Sequence, residues 1–302
     1  MKSLVSICVI TYNQENYIRE TLDSIISQKT SFPIEIIIGD DCSTDKTKKI
    51  LMEFCEKYSN ISYVSHKQNK GIVENLLSIL QIAKGKYIAI SGGDDYWINP
   101  FKLQKQYDFL ESKPDFAACF HNAIVKNEIN KKSKIFARLN KTEYTGFDII
   151  RNWLIPAASI FGKNIFTSEI PEFIKKATHE DLAIYLYLLE FGKMGCINSP
   201  MSVYRIHNNS ITQTDAFKGI EHNLKHVRQI ELMIEFFGNK YKTLLKKRAA
   251  DYLVSTAYLY AKEEKSEQAK SALKHAFRFS KPVIVRKTKY FLGTLYYIAL
   301  KK

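Results

Sequence analysis

Apolar runs and helically spaced apolar residues alternate along the amino-terminal third of the chain. Residues 5–10 are almost all apolar, as is typical of a strand buried on both faces, whereas residues 15–28 repeat apolar positions at helical spacing. The alternation continues through strands at residues 34–38, 61–64 and 86–91 and helices at residues 46–58 and 72–83. This short-period alternation predicts an α/β fold with a doubly wound, mainly parallel sheet and helices on both faces.

The pattern is less regular after residue 100. It predicts a helix over residues 102–112, a strand over 116–125, a helix over 182–191 and a strand over 201–206. Residues 126–141 are polar and without a clear period, so a hairpin or a mobile loop is expected there.

The carboxyl-terminal part has only helical spacing. Residues 249–282 resemble one helical-hairpin repeat, which cannot bury its own apolar face and must pack on other structure. We therefore expect two domains, a catalytic α/β domain over residues 1–214 and an all-helical appendage over 215–302. The last segment, residues 286–302, mixes basic and aromatic residues and predicts a helix that lies on a membrane surface or packs against the domain.

The positive charge of the chain is concentrated within the expected helical appendage, after residue 239. The chain of 302 residues has a net charge of +14, and residues 240–302 carry 16 Lys and Arg against 4 Asp and Glu. This asymmetry points to an anionic partner for the helical region, and anionic membrane lipid fits its aromatic residues better than nucleic acid does. An oligomer formed through these helices is a further option. The five cysteines form no CxxC pair, and neither a signal peptide nor a membrane-spanning apolar run is evident, so a cytoplasmic protein is expected, with peripheral contact at the inner face of the membrane.

Pairs of acidic residues follow predicted strands or polar turns at three places: Asp40-Asp41, Asp94-Asp95 and Glu180-Asp181. Since parallel strands end at one edge of a sheet, these distant pairs are expected to share a cleft. Adjacent carboxylates repel each other, and a divalent cation such as Mg²⁺ or Mn²⁺ would relieve that repulsion. The alternative for Asp94-Asp95 is a solvated Gly-Asp turn. Neither a GxGxxG nor a GxxxxGK[ST] motif is present.

Several short motifs occur in order along the chain: residues 5–13 (VSICVITYN), 40–47 (DDCSTDKT), 69–71 (NKG), 93–95 (GDD), 180–181 (ED) and 204–207 (YRIH). Together they resemble those of family 2 glycosyltransferases with the GT-A fold, a Rossmann-like mainly parallel sheet. The resemblance extends over about residues 4–210. It implies a bacterial surface-glycan enzyme that transfers a sugar, with inversion, from a nucleotide diphosphate donor to a hydroxyl of a glycan or lipid-linked acceptor. A UDP-sugar donor and Mn²⁺ or Mg²⁺ are favoured.

The resemblance also implies roles for individual residues on the donor side of the site. Thr11, Tyr12 and Asn13 would lie along the nucleotide, and Asp41 would accept a hydrogen bond from the base while Asp40 braces the turn. Asp94 would contact the ribose region.

The remaining implied roles concern the metal and the acceptor. Asp95 would ligate the metal, Asp181 would act as the general base, and Glu180 would orient the substrates. His207 would reach the diphosphate or the metal beside Arg205, which we place among the donor-binding residues.

Other interpretations stay open from the residues alone. Glu180 and Asp181 also fit a helix N-terminal charge, and His207 fits a surface histidine. Glu74 stands where many relatives carry a basic residue, which weakens any diphosphate contact from that helix. Two other functions are weighed: a sugar nucleotidyltransferase, whose glycine-rich amino-terminal loop is missing here, and a non-catalytic binding module.

Overall fold

The computed structural model describes residues 4–178, 180–211, 219–280, 290 and 292–297. The chain divides into two compact units. The first unit comprises Met1–Pro171 and Glu180–Asn208, and the second comprises Glu172–His179 and Asn209–Lys302. The domain boundary expected between residues 214 and 215 falls among residues 212–218, which lie outside the described part.

The amino-terminal half of the first unit is a parallel sheet flanked by helices. Its strands run in the order β3-β2-β1-β4, and every neighbouring pair among them is parallel. The strands are β1 (Val5–Thr11), β2 (Ile34–Asp40), β3 (Ile61–Ser65) and β4 (Tyr87–Gly92), and the helices between them are α1 (Ile18–Ile26), α2 (Thr47–Lys57) and α3 (Ile72–Leu80). The mainly parallel α/β sheet predicted from the sequence is confirmed.

Helices cover both faces of this sheet because its strands are apolar on both sides. Ile7 and Val9 of β1 pack in one apolar cluster with Leu22 of α1 and Phe54 of α2. The third helix, α3, packs on β1 and β2 outside this cluster, on the opposite face. Both faces of the central strand are therefore removed from water, which is the usual state of a parallel sheet.

The carboxyl-terminal half of the first unit extends the sheet with mixed strand directions. Among the described residues the sheet has ten strands, and its order continues from β4 through β9, β6 and β10 to β5. The further elements are β5 (Tyr96–Trp97), α4 (Lys102–Ser112), β6 (Phe116–Asn127), β7 (Lys132–Ile135), β8 (Glu143–Tyr144), α5 (Gly146–Arg151), β9 (Phe161–Lys163), α6 (Glu172–Lys175, in the second unit), α7 (Glu180–Leu188) and β10 (Lys193–Ile206).

Residues 126–141 contain the hairpin that was one of the two alternatives expected there, because β7 pairs antiparallel with β6. Two other expectations for this half need correction. The strand expected at residues 201–206 begins earlier, at Lys193. The turn-like residues near Pro200 are part of β10, because the pairing with β6 continues beyond them after shifts of register. The helix expected at 182–191 begins and ends earlier, as α7.

The second unit is helical in its described part, as predicted, apart from short connections. Its longer helices are α8 (Ile220–Phe237), α9 (Lys242–Lys262) and α10 (Ser266–Phe279). Small residues let α9 and α10 approach closely: Ala250 and Ala257 of α9 share an apolar cluster with Ala272 and Ala276 of α10. The first helix of the expected hairpin begins at Lys242, before residue 249.

The basic terminal segment predicted at residues 286–302 lies largely outside the described residues. Within it, residues 290 and 292–297 are helical, and Tyr290 and Tyr297 contact the ring of Tyr258 on α9. In the described part of the chain, every helix is too short or too polar to cross a bilayer.

One tight contact connects β2 to α3, directly behind the acidic pair that follows β2. Asn75 donates from Nδ2 to the carbonyl oxygen of Gly39 at 2.9 Å, and its Oδ1 lies 3.2 Å from Nε2 of His66. A Cβ atom on Gly39 would lie 2.3 Å from Oδ1 of Asn75. Only glycine at this position allows the helix and the strand to approach so closely.

We therefore expect Gly39→Ala to lower the free energy of unfolding by about 1–3 kcal/mol, since the added methyl group overpacks a buried contact. Urea denaturation of this variant, of Asn75→Ala and of the double variant measures the effect. The double variant should lose less than the sum of the single losses, because removing the Asn75 side chain makes room for the methyl group. Strictly additive losses would contradict a clash between these two residues.

Candidate active site

The carboxyl ends of β1, β2 and β4 meet at one edge of the sheet. Thr11 is in register with Asp40, and Ile10 is in register with Gly92. Backbone hydrogen bonds continue past the strands: Asp41 N–H donates to Thr11 O at 3.0 Å, and Gly93 N–H donates to Ile10 O at 2.8 Å. The first two acidic pairs therefore lie on either side of the end of β1, as the parallel topology predicts.

Asn13 joins the loop after β1 to the loop after β2. Its φ angle is +50°, a left-handed conformation that asparagine tolerates better than most residues. Its N–H donates to Ser43 Oγ at 2.9 Å, and its Oδ1 accepts from Thr44 N–H at 2.7 Å. Thr11 is buried and donates from Oγ1 to Gln14 Oε1, whereas the Tyr12 ring is 45 % exposed. The arrangement leaves the Tyr12 ring at the surface of a loop that is otherwise held in place.

Asp41 holds the turn that precedes α3. Its two carboxylate oxygens accept from the backbone N–H groups of Lys70 and Gly71, at 2.7 and 2.8 Å. Asp40 is fully buried and accepts from Ser43 N–H at 3.3 Å, which fits the bracing role expected for it. Each oxygen of Asp41 keeps a second lone pair, so a contact with a nucleotide base stays a prediction.

Asp95 is a buried carboxylate beside a second carboxylate. It is 4 % exposed, and its Oδ1 accepts from Arg205 N–H at 3.0 Å. Burial raises the pKa of Asp95 well above its ordinary value, and the charges of Asp94 and, to a smaller extent, Asp181 raise it further. Arg205 opposes this shift. The negative charge of Asp181 is thus close enough to influence the titration of Asp95.

Arg205 connects the loop of Asp94 to two other parts of the first unit. Its Nε donates to Asp94 O at 2.6 Å, its Nη1 donates to Glu128 Oε1 at 3.1 Å, and its Nη2 donates to Glu20 Oε2. Two tyrosine rings flank the guanidinium group, with centroids 5.2 Å (Tyr17) and 4.4 Å (Tyr96) from its carbon. Three of the five N–H groups of the guanidinium thus donate to other protein groups. The expected contact between Arg205 and the nucleotide-sugar donor stays a prediction.

Sequence reasoning missed Glu20, Tyr17 and Glu128 as parts of this site. Each would have been assigned to a helix surface or a turn from its own neighbourhood, and no local pattern connects them to Arg205. Only the pairing of β10 with β6 and β5 brings these residues together.

His207 lies against Asp94, as the sequence expectation of a shared site requires. Its Nε2 is 3.1 Å from Oδ2 of Asp94, and its ring stacks on Tyr17 with centroids 4.2 Å apart. The stacking fixes the orientation of the imidazole plane. His207 Nε2 and Asp94 Oδ2 therefore lie side by side, where both could bind the same cation.

Asp181 lies in the first turn of α7 and is partly buried. Tyr185 donates from its hydroxyl to Oδ1 of Asp181 at 3.4 Å. Burial raises the pKa of Asp181 to about 6, and the Tyr185 hydrogen bond offsets only part of the shift. A carboxyl group with this pKa exchanges its proton near neutral pH, which suits a general base. The side chain of Glu180 lies outside the described part, so its predicted role is untested.

The chemistry of this donor set fits a divalent cation that also binds a substrate phosphate. Within the described ranges, no group of three or more His, Cys, Asp or Glu side chains is placed so that it could hold a metal ion by itself. Mg²⁺ is typically bound by one or two carboxylates together with substrate phosphates and water, so an enclosing protein cage is not required. Asp94 Oδ2 and His207 Nε2 lie 3.1 Å apart, and Asp95 is the next carboxylate along the chain.

Fold and sequence comparisons give the class of protein. Residues 6–166 match the model of glycosyl transferase family 2. The chain is 33 % identical over 210 residues to the uncharacterised protein Rv1520 of Mycobacterium tuberculosis, covering 68 % of this chain and 60 % of the relative. It is 31 % identical over 210 residues to WfaP of Escherichia coli, a UDP-Glc:α-D-GlcNAc-diphosphoundecaprenol β-1,3-glucosyltransferase, covering 69 % of this chain and 80 % of WfaP. The chain belongs to glycosyl transferase family 2.

Solved structures agree on the fold, which is GT-A. Staphylococcus aureus TarS 1–349 in complex with UDP-GlcNAc superimposes with a TM-score of 0.70 at 16 % identity, covering 100 % of this chain and 91 % of that one. The mannosyltransferase PcManGT of Pyrobaculum calidifontis, in complex with GDP-Man and Mn²⁺, superimposes with a TM-score of 0.57 at 18 % identity, covering 100 % and 88 %.

The buried charge of Asp95 leads to a stability prediction for the ligand-free protein. The folded state holds the Asp95 proton more tightly than the unfolded chain, so this residue's unfavourable contribution grows as pH rises above its ordinary pKa of 3.8. We expect Asp95→Asn to raise the free energy of unfolding by about 1 kcal/mol or more at pH 7.5, and by less at pH 4.5.

Urea denaturation at the two pH values measures this difference. Asp23→Asn, on the exposed side of α1, is the matched control and should change stability little at either pH. An Asp95→Asn variant that is less stable than the wild type at pH 7.5 would mean that Arg205 more than offsets the burial of the charge.

Proposed function

We propose that this chain is an inverting glycosyltransferase that moves a sugar from a UDP-sugar to a hydroxyl of a glycan or lipid-linked acceptor. The observation that carries the proposal is the partly buried carboxyl of Asp181, whose pKa is raised to about 6 and whose charge acts on Asp95. A proton acceptor thus lies within electrostatic reach of a carboxylate suited to a metal and a diphosphate, a combination that sugar transfer from a nucleotide sugar requires. Membership of glycosyl transferase family 2 supports the assignment.

The reaction needs one base and one displacement. The acceptor hydroxyl oxygen attacks the anomeric carbon and forms the new C–O bond while the bond to the diphosphate oxygen breaks with its electron pair. Asp181 takes the proton of the attacking hydroxyl, and the absence of a covalent step gives inversion of configuration. Asp95, with Asp94 and His207, would hold Mn²⁺ or Mg²⁺, and the cation would supply positive charge to stabilise the departing diphosphate.

The donor lies, in this proposal, along the loops at the ends of β1 and β2. Tyr12 offers an exposed ring to the base or ribose, between Thr11 and Asn13. Asp41 accepts the ring N–H of uracil through its remaining lone pairs. Arg205, Asp94 and Glu180 complete the donor side. The UDP-sugar named for WfaP and the one bound to TarS support uridine, whereas GDP-Man bound to PcManGT represents the alternative.

A nucleotide-sugar panel tests the proposal. Thermal shift and calorimetry with UDP- and GDP-sugars, each with and without Mn²⁺, should give metal-dependent binding of one uridine donor. Transfer of the sugar to an acceptor then distinguishes a transferase from a non-catalytic module. If the protein instead joins a sugar phosphate to UTP and releases pyrophosphate, it is a sugar nucleotidyltransferase. Failure of a folded protein to bind any donor would contradict the proposal.

We expect Asp181→Asn to lower kcat by about 10²–10⁴-fold with little change in donor affinity, because the amide cannot accept the proton. In the wild type, kcat should rise with pH through about 6 and then level off, since only the deprotonated carboxyl acts as a base. Steady-state rates over pH 5–8 measure both effects. Glu190→Gln, just beyond the other end of α7, is the matched control, and an unchanged kcat in Asp181→Asn would exclude this residue as the base.

The remaining partners are also proposals. Residues 286–302 contact anionic lipid at the inner face of the cytoplasmic membrane, which would bring the enzyme to a lipid-linked acceptor. Replacing Lys287, Lys289, Lys301 and Lys302 with glutamine should release the protein from phosphatidylserine vesicles while donor binding stays unchanged. Undiminished vesicle binding by this variant would exclude the segment as the membrane contact.

A further inference from the structure

Three aromatic rings contact one another on the first unit, and one of them is exposed. Trp153 lies edge-to-face against Phe136, with centroids 4.9 Å apart, and against Tyr204, at 5.9 Å. Phe136 and Tyr204 also contact each other, at 5.7 Å. Trp153 is nevertheless 60 % exposed, whereas Trp97, the other tryptophan of the chain, is 4 % exposed. An indole supported from two sides but open to solvent offers a fixed ring face to a ligand.

Two lysines stand on the same face as these rings. Val125 of β6 is in register with Lys134 of β7 on one side and with Tyr204 of β10 on the other, so the three side chains point to one face of the sheet. Lys132 and Phe136 lie two residues before and after Lys134, and alternation along the strand places them on that face as well. We call this surface, formed by Phe136, Trp153, Tyr204, Lys132 and Lys134, the aromatic–lysine face.

Both lysines are exposed, and neither takes part in an ion pair of the described residues. All four residues of β7 are exposed. Within the described residues, the ion pairs found do not involve Lys132 or Lys134; the nearest one along the hairpin joins Lys126 to Glu128 at 3.7 Å. The hairpin thus adds uncompensated positive charge beside an exposed aromatic ring.

The aromatic–lysine face is connected to the candidate active site along the chain. Tyr204 precedes Arg205, whose N–H binds the Asp95 carboxylate, and alternation along β10 points the two side chains to opposite faces of the sheet. Glu128, just beyond β6, accepts from Arg205 Nη1 and donates from its N–H to Ile206 O at 2.8 Å. Trp153 follows α5, and α5 packs against α7, the helix that carries Asp181. The packing of α5 against α7 is therefore the contact that connects this surface to the helix of Asp181.

We propose that the aromatic–lysine face binds the acceptor, and that the acceptor is an anionic glycan. A sugar ring stacks its C–H face on the indole of Trp153, where the negative ring face attracts the partially positive hydrogens. A carboxylate or phosphate group on the same glycan binds the ammonium groups of Lys132 and Lys134. This inference rests on the proposed transferase function, since it names the acceptor class for the site of Asp181.

Direct binding measurements test this inference separately from transfer. Calorimetry with the full chain uses three probes: neutral maltotriose, phosphorylated maltotriose and an oligosaccharide containing glucuronate. The wild type should bind at least one charged probe more tightly than the neutral one, and the stronger of the two charged probes tells phosphate from carboxylate. Tryptophan fluorescence should change on binding, because Trp153 is the exposed indole.

Two variants with matched controls identify the surface. Trp153→Ala should weaken charged-probe binding by about tenfold, whereas Phe191→Ala, at another exposed aromatic residue, should not. Lys132→Glu with Lys134→Glu should weaken the charged probes by about tenfold or more and leave maltotriose unchanged. Lys48→Glu with Lys49→Glu on exposed positions of α2 changes the net charge equally and should leave binding unaffected.

Donor binding is measured on the same proteins, so the two proposals can fail independently. If the wild type binds a UDP-sugar but no charged glycan, or if the aromatic and lysine variants bind glycans as the wild type does, the acceptor inference is wrong and the transferase proposal stands. If no nucleotide sugar binds, the transferase proposal itself is wrong. If the Lys48 and Lys49 control pair weakens binding as much as the Lys132 and Lys134 pair does, the change in net charge alone explains the effect. That result would overturn the assignment of this face.

Discussion

The candidate site depends on holding two adjacent carboxylates, Asp94 and Asp95, at the end of a buried strand. The two charges repel each other, and Asp95 has almost no contact with water, so the ligand-free loop is electrostatically unfavourable. Arg205 opposes this in two ways: its backbone N–H binds the Asp95 carboxylate, and its guanidinium binds the Asp94 carbonyl. The guanidinium then needs its own counter-charges, which Glu20 and Glu128 supply.

This requirement explains why distant parts of the first unit converge. Glu20 belongs to α1, Glu128 follows β6, and Arg205 lies near the end of β10, so one charged group joins three elements around the acidic loop. Tyr17 serves two neighbours, because it faces the Arg205 guanidinium and also stacks on His207. The orientation of His207 toward Asp94 and the position of Arg205 are consequently linked through one ring.

A second set of hydrogen bonds fixes the loops on the nucleotide side of the candidate site. These hydrogen bonds involve backbone groups rather than pairs of opposite charges. Asp41 binds the two N–H groups that begin the turn into α3, and Asn13 joins the loops after β1 and β2. Asn75 connects the same helix to Gly39, one residue before Asp40. The loops that would surround a donor are thus fixed before it binds, which lowers the conformational entropy lost on binding.

The sequence determined the parts of this protein that depend on local pattern and short motifs. Apolar runs such as residues 5–10 predicted the buried parallel strands, and the acidic pairs after them predicted one shared edge, because parallel strands end on the same side. The helical character of the carboxyl-terminal part also followed from spacing alone.

Tertiary structure decided what depends on pairing between distant segments. The two-residue strand Tyr96–Trp97 has too little pattern to be recognised, and β10 is interrupted near Pro200 by residues that look like a turn. Glu20, Tyr17 and Glu128 join the site only because β10 lies between β6 and β5, and Lys134 shares a face with Tyr204 only through the register of Val125. Register and burial are properties of the assembled sheet, and so are the raised pKa values of Asp95 and Asp181. A linear sequence contains the charges, but the distances between them, and their separation from water, exist only in the folded chain.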